Sequence, residues 1–125
     1  MQHVRSRQEI AARPLEVARG MRAVPIAETR WPDLRAGDFA VVDVSAIEPR
    51  AGAMLCMRNV GGELIFAMCA GEINPRAAQM QTRHWRLLTS AAEGCVLIIA
   101  DKFLRNITLG RVVGVLRPAL IDSRA

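Results

Sequence analysis

The sequence predicts an all-β fold, and three observations predict it. Short runs of β-branched and aliphatic residues recur along the chain, turn signals separate them, and helical periodicity is almost absent. At 125 residues with half of them hydrophobic, the chain is long enough for one domain with a real core. With no Tyr, three Phe and two Trp, that core must be filled by Val, Leu, Ile, Met and Ala.

Residues 1 to 24 read as a basic N-terminal arm. Ser6 to Arg13 could form a short helix, with Ser6 as N-cap and Glu9 completing a capping box before Pro14. Pro25 and Pro32 then hold an irregular stretch, with Trp31 as a local anchor. Leu34-Arg35-Ala36-Gly37-Asp38 is a turn that delivers the chain into a strand, Phe39 to Val44, and Pro49-Arg50-Ala51-Gly52 is the next turn.

Ala53 to Asn59 and Glu63 to Ala70 form a hairpin about Asn59-Val60-Gly61-Gly62, whose glycines supply positive backbone angles. If the turn pairs residues whose numbers sum to 123, Cys56 faces Ala67 and Cys69 faces Met54. Both strands are nearly continuous in apolar residues, so both faces should be covered, by the rest of the domain or by another subunit. Trp85 to Leu88 and Val96 to Ala100 follow as strands. Ile107 to Leu116 closes the domain, with Gly110 and Gly114 thinning one face for bending or close backbone approach, and Pro118 ends it.

The net charge of +5 comes from sixteen Arg and Lys102 against twelve acids. Residues 1 to 35 hold seven Arg and four acids, so the N-terminal third is the more basic part. This permits attraction to an acidic partner or nucleic acid without specifying one. Arg83-His84-Trp85-Arg86, with Arg76 nearby, has the composition of a nucleic-acid patch. The simpler reading is a core Trp85 with arginines lying over it. His3 and His84 are isolated, no residues have metal-ligand spacing, and no cofactor or metal is expected. Cys56, Cys69 and Cys95 are odd in number, include no C-x-x-C pair and lie in apolar runs, so a disulfide is not expected. Charges interrupt Met1 to Gly20, which argues against a secretory signal, and Leu64 to Gly71 is too short to span a bilayer. A cytoplasmic location is the expectation.

Two segments, Leu34-Arg35-Ala36-Gly37-Asp38-Phe39-Ala40-Val41-Val42-Asp43 and Leu109-Gly110-Arg111-Val112-Val113-Gly114-Val115-Leu116-Arg117, resemble the opening and closing strands of the LexA, UmuD and phage-repressor peptidase domain. The resemblance covers roughly residues 25 to 118. It implies a small LexA-like, signal-peptidase-like β-barrel over residues 25 to 120, followed by a tail, 121 to 125. In that family a Gly-Asp-Ser-Met-x-Pro motif carries the nucleophile and a Gly-Asp then opens a strand. Here Pro32 matches the motif proline and Gly37-Asp38 the later pair. Thr29 then falls at the nucleophile position, with Ala27-Glu28 and Arg30 where Gly-Asp and Met belong.

The family's base is a lysine on the second hairpin strand. In this chain the position falls on Ala67, or on Phe66 if the alignment slips by one. A hydroxyl without a neutral amine to take its proton is a poor nucleophile near neutral pH. Val17-Ala18-Arg19-Gly20 looks like a remnant of a self-cleavage site, nine residues before Thr29.

The resemblance therefore implies a catalytically degenerate domain acting as a dimerisation or protein-binding regulatory module, with a homodimer or a regulatory protein as partner. The family's closing strand takes part in self-association, so Ile107 to Leu116, including Val113, is the first candidate for a homodimer edge, and the apolar hairpin is the second. Two alternatives remain. One is a residual peptidase or self-cleaving protein using Thr29 with Lys102, the only lysine. The other is a nucleic-acid-associated accessory factor using the basic arm.

Overall fold

The computed structural model describes residues 18–73, 83–92 and 96–118. The expected helix Ser6 to Arg13, the remnant's Val17, Arg76, Cys95 and the tail lie outside the described residues. Seven strands form one sheet: β1 (Met21–Pro25), β2 (Phe39–Asp43), β3 (Met54–Arg58), β4 (Leu64–Ile73), β5 (His84–Leu88), β6 (Val96–Ala100) and β7 (Thr108–Leu116). Among the described residues one helix, α1 (Asp101–Ile107), joins β6 to β7. The sheet order is β1-β2-β7-β3-β4-β5-β6, and every neighbouring pair is antiparallel. The fold is thus all-β, with the hydrogen-bonded order running from an edge at β1 to an edge at β6.

β7 is the centre of this arrangement. It is the last of the described strands and is inserted between β2 and β3, staggered so that Thr108, Gly110 and Arg111 pair with β3 while Arg111 to Leu116 pair with β2. Val113, in the half paired with β2, is 53% exposed. Gly110 makes the insertion possible. A Cβ there would collide with the Asp43 carbonyl and lie 2.8 Å from Val42 Cγ1, whereas one at Gly114 would meet nothing within 4 Å. Of the two glycines expected to thin a face, only Gly110 serves a close approach.

The hairpin forms where expected but one residue out of register. Its partners sum to 122, so Leu55 faces Ala67 and Cys56 faces Phe66. The loop is Val60-Gly61-Gly62 rather than Gly61-Gly62 alone. Asn59 and Glu63 pair at its base, with Asn59 N donating to Glu63 O at 2.8 Å, and Gly62 takes φ 85°. The Asn59 side chain locks this geometry by accepting from Glu63 N at 2.9 Å. A three-residue loop ending on a left-handed glycine is a common hairpin solution.

Side chains alternate along β3 and so build two cores. Val24, Ile26, Trp31, Leu34, Ala40, Val42 and Cys56 pack on one face of the sheet. Leu55, Met57, Ala67, Cys69, Trp85, Leu87 and Leu104 pack on the other. The hairpin's two apolar faces are covered from within, by Trp31 and Leu34 of the β1–β2 loop on one side and by Leu104 of α1 on the other. Cys56 and Cys69 are both free and lie on opposite faces. Burial pushes the Cys56 thiol up to about 11, against the pull of Arg22 and Arg58.

Two further differences concern boundaries. The arm was expected to reach residue 24, yet Met21–Pro25 is β1, paired with β2, and Val24 is buried. The last strand was expected to begin at Ile107, yet Ile107 ends α1 and β7 begins at Thr108. No helix among the described residues is long and apolar enough to cross a membrane.

The close approach at Gly110 yields a paired test. Gly110→Ala should destabilise the protein by about 2–3 kcal/mol in urea titration, because backbone must move. Gly114→Ala, in open space, should change stability by no more than about 0.5 kcal/mol.

Candidate functional site

The β1–β2 loop is built as a closed unit. At its neck Ile26 N donates to Asp38 O at 2.9 Å and Gly37 N donates to Ile26 O at 3.1 Å. Inside, Leu34 N donates to Trp31 O at 3.1 Å, and both side chains plug the first core. Ala91 N donates to Arg30 O at 2.9 Å and ties the loop to the segment after β5. Asp38, the aspartate of the Gly37-Asp38 pair, is buried and accepts from Arg117 through Nε at 3.2 and 3.3 Å and through a terminal nitrogen at 3.0 Å. The pair staples the start of β2 to the residue after β7. The hydrogen bond to Asp38 and its negative charge raise the Arg117 pKa.

Between this loop and the hairpin lies a cleft of about 380 Å³. Glu28, Arg30, Trp31 and Leu34 line it from the loop, with Glu63 and Phe66 opposite. The loop carrying Thr29 therefore stands beside β4, the strand on which the resemblance places a base. Leu64, Ile65 and Phe66 of β4 all border the cleft. Phe66 lines it, while Ala67 is buried in the second core on the other face. Neither side chain ionises.

Thr29 is an exposed residue, and its Oγ1 accepts a hydrogen bond from Ala36 N at 2.8 Å. That is the role of a turn hydroxyl holding its own loop in shape. Lys102 is exposed on α1. Its helix packs through Leu104 on the second face, whereas the Thr29 loop covers the first, so the sheet separates the two. Its chain neighbours Glu28 and Arg30 are paired at 2.7 Å.

The second candidate, Arg83-His84-Trp85-Arg86, resolves into a packed cluster. Trp85 is buried and its Nε1 donates to Asp101 Oδ1 at 2.8 Å. The Arg83 guanidinium lies 5.3 Å from the Trp85 ring centroid and forms a two-pronged pair with Glu72 at 2.9 and 3.0 Å. Arg105 Nε donates to Asp101 Oδ2 at 2.9 Å. The indole is thus packed rather than offered for stacking, and the Arg83 charge is already met by a carboxylate. Among the described residues no group of three or more His, Cys, Asp or Glu is placed to hold a metal ion.

The sequence pointed to Thr29, Trp31 and Phe66 of this region. It did not point to Glu63 as a cleft residue or to the Asp38–Arg117 staple. Glu63 could have been found from the hairpin turn that it closes. The staple joins residues 79 apart and has no local signal.

Comparison with known proteins adds no relative: no family model, no curated protein and no solved structure matches the chain significantly.

Asp101 gives the packed cluster a pH signature. Burial alone would raise its pKa, but hydrogen bonds from Trp85 and Arg105, with the charges of Arg105 and Arg83, outweigh burial and hold it below the usual carboxylate value. A lowered folded pKa gives stability that is complete above the unfolded value, about 3.9, and is lost as pH falls through the folded one. Asp101→Asn should lower the urea midpoint at pH 7, and between about pH 4 and pH 2 it should lose less stability than the parent protein.

Proposed function

We propose that the chain is a non-catalytic relative of the LexA-like peptidases and works as a dimerisation or protein-binding regulatory module. One observation carries this reading. The loop that aligns with the family's nucleophile motif packs beside the hairpin strand that should supply the base, yet Thr29 Oγ1 is engaged by Ala36 N and the candidate base positions are Phe66 and Ala67.

The chemistry of a Ser–Lys dyad explains why this arrangement is silent. The reaction needs a desolvated neutral amine within hydrogen-bond reach of the hydroxyl, and the hydroxyl's lone pairs must face the scissile carbonyl. Here the oxygen accepts from a backbone N–H, which stabilises the loop and lowers the oxygen's electron density. Phe66 contributes an apolar wall in place of a proton acceptor. By analogy with the loss of triad members, the missing base lowers the rate by roughly 10³-fold or more. The same scaffold keeps its shape without the reaction, since the first core is plugged by Trp31 and Leu34 and the neck of the loop is closed by backbone bonds.

Intact-mass spectrometry tests the reading. Purified protein held for days at about pH 9–10, where a lysine base would be largely neutral, should keep its full mass. A fragment that forms in the parent protein and fails to form in Thr29→Ala would overturn it.

A further inference from the structure

The two edges of the sheet are unlike. β1 carries an exposed Arg22 and ends on Pro25, the guards that usually keep a sheet edge from adding another strand. β6 reads Val96-Leu97-Ile98-Ile99-Ala100 and carries no charge, no proline and no glycine. It pairs β5 along its whole length without a bulge, and its other side is free of strand pairing among the described residues. Val96, Leu97 and Ile98 are 46%, 40% and 61% exposed, and Phe103, on the helix that follows, is 57% exposed. An uncharged, unbulged edge rich in β-branched residues is a template for strand addition.

We infer that β6 is a self-association edge, pairing antiparallel with the β6 strand of a second copy of this chain about a two-fold axis at Ile98. Charge placement selects this occupant and this direction. With the axis at Ile98, residue 96 meets residue 100 and residue 97 meets residue 99, so no charged side chain enters the ladder. Arg86, the partner of Ile98 across β5–β6, comes to lie three strand spacings from its counterpart, about 14 Å. That exceeds the screening length of about 8 Å at physiological salt.

Asp101 and Lys102 stand at the C-terminal end of the strand, and antiparallel pairing sets the two copies of them at opposite ends of a ladder about 17 Å long. Parallel pairing would bring Lys102 against Lys102. A chain of net charge +5 therefore meets itself here without a like-charge contact.

The new contact would add about four to six backbone hydrogen bonds and cover the exposed Val96, Leu97 and Ile98 side chains. Such an interface is at the small end of specific contacts, so association should be in the micromolar range. The inference supplies the partner for the binding role proposed above and rests on that reading for its biological sense. Its readout is mass in solution, so an absent dimer and a Thr29-dependent fragment are separate failures.

Sedimentation velocity on the full chain between roughly 10 and 500 µM is the test. The parent protein should move from one chain toward two as concentration rises. Ile98→Lys should weaken the association at least tenfold, and Val96→Lys should do the same if Ile98→Lys fails to fold. Val60→Lys, which adds the same charge at the fully exposed hairpin tip, and Val113→Asp on β7 should associate like the parent. A parent protein that stays a monomer, an Ile98→Lys protein that associates normally, or a dimer abolished by Val113→Asp would each overturn the inference.

Discussion

The sheet depends on the close passage of β7 beside the end of β2, where Gly110 leaves room for the Asp43 carbonyl. β7 is the last of the described strands in sequence and the third in the sheet, and it joins β2 to β3. On one side it carries β1, β2 and their connecting loop, and on the other β3 through β6. Few other positions couple so much of the molecule to one missing methyl group. The Asp38–Arg117 pair acts beside it, fixing the start of β2 to the exit of β7 with a buried carboxylate that has a cation to answer it.

From that frame follows the shape of the cleft. Because β2 is held against β7, the loop that precedes β2 must fold back over the first face of the sheet, and Trp31 and Leu34 anchor it there. Thr29 is then set by the loop's internal needs. Its hydroxyl oxygen accepts from Ala36 N and so takes part in the loop's own hydrogen bonding. The opposite wall includes Phe66 of β4 and Glu63 at the base of the hairpin loop. The core beneath the cleft is apolar, so the loop and the hairpin hold their places without any ionisable side chain at Phe66 or Ala67.

Much of this was legible in the sequence, and the failures have physical causes. The turns at Gly37-Asp38 and Gly52, the hairpin and the extent of β6 follow from local chemistry: left-handed glycines, β-branched runs and uncharged stretches. The hairpin register slipped by one because Gly61-Gly62 suggests a two-residue turn, while the Asn59 side chain selects a three-residue loop. That one-residue shift explains the pairing of Cys56 with Phe66 instead of Ala67. β1 was hidden because Met21–Pro25 buries only Val24 and carries Arg22 and a proline. α1 was hidden because its seven residues bury only Leu104, too little for a helical pattern to show. The interior place of β7 is a pairing between distant segments, to which propensity and periodicity are blind. At the site, the loop around Thr29 and the wall at Phe66 were readable, whereas the Asp38–Arg117 staple and the part played by Glu63 needed the tertiary structure.

The proposed inactivity rests on Thr29 Oγ1 serving as a structural acceptor, with Phe66 and Ala67 at the positions where the resemblance places a base. Covalent labelling of the folded protein with a fluorophosphonate, which reports activated hydroxyls directly, is the sharpest measurement of it. The account requires that labelling of Thr29 stay at the level of an ordinary surface hydroxyl from about pH 6 to pH 10, with no inflection. Stoichiometric modification of Thr29, with a rate that rises through a pKa in that range and vanishes on unfolding, would contradict it.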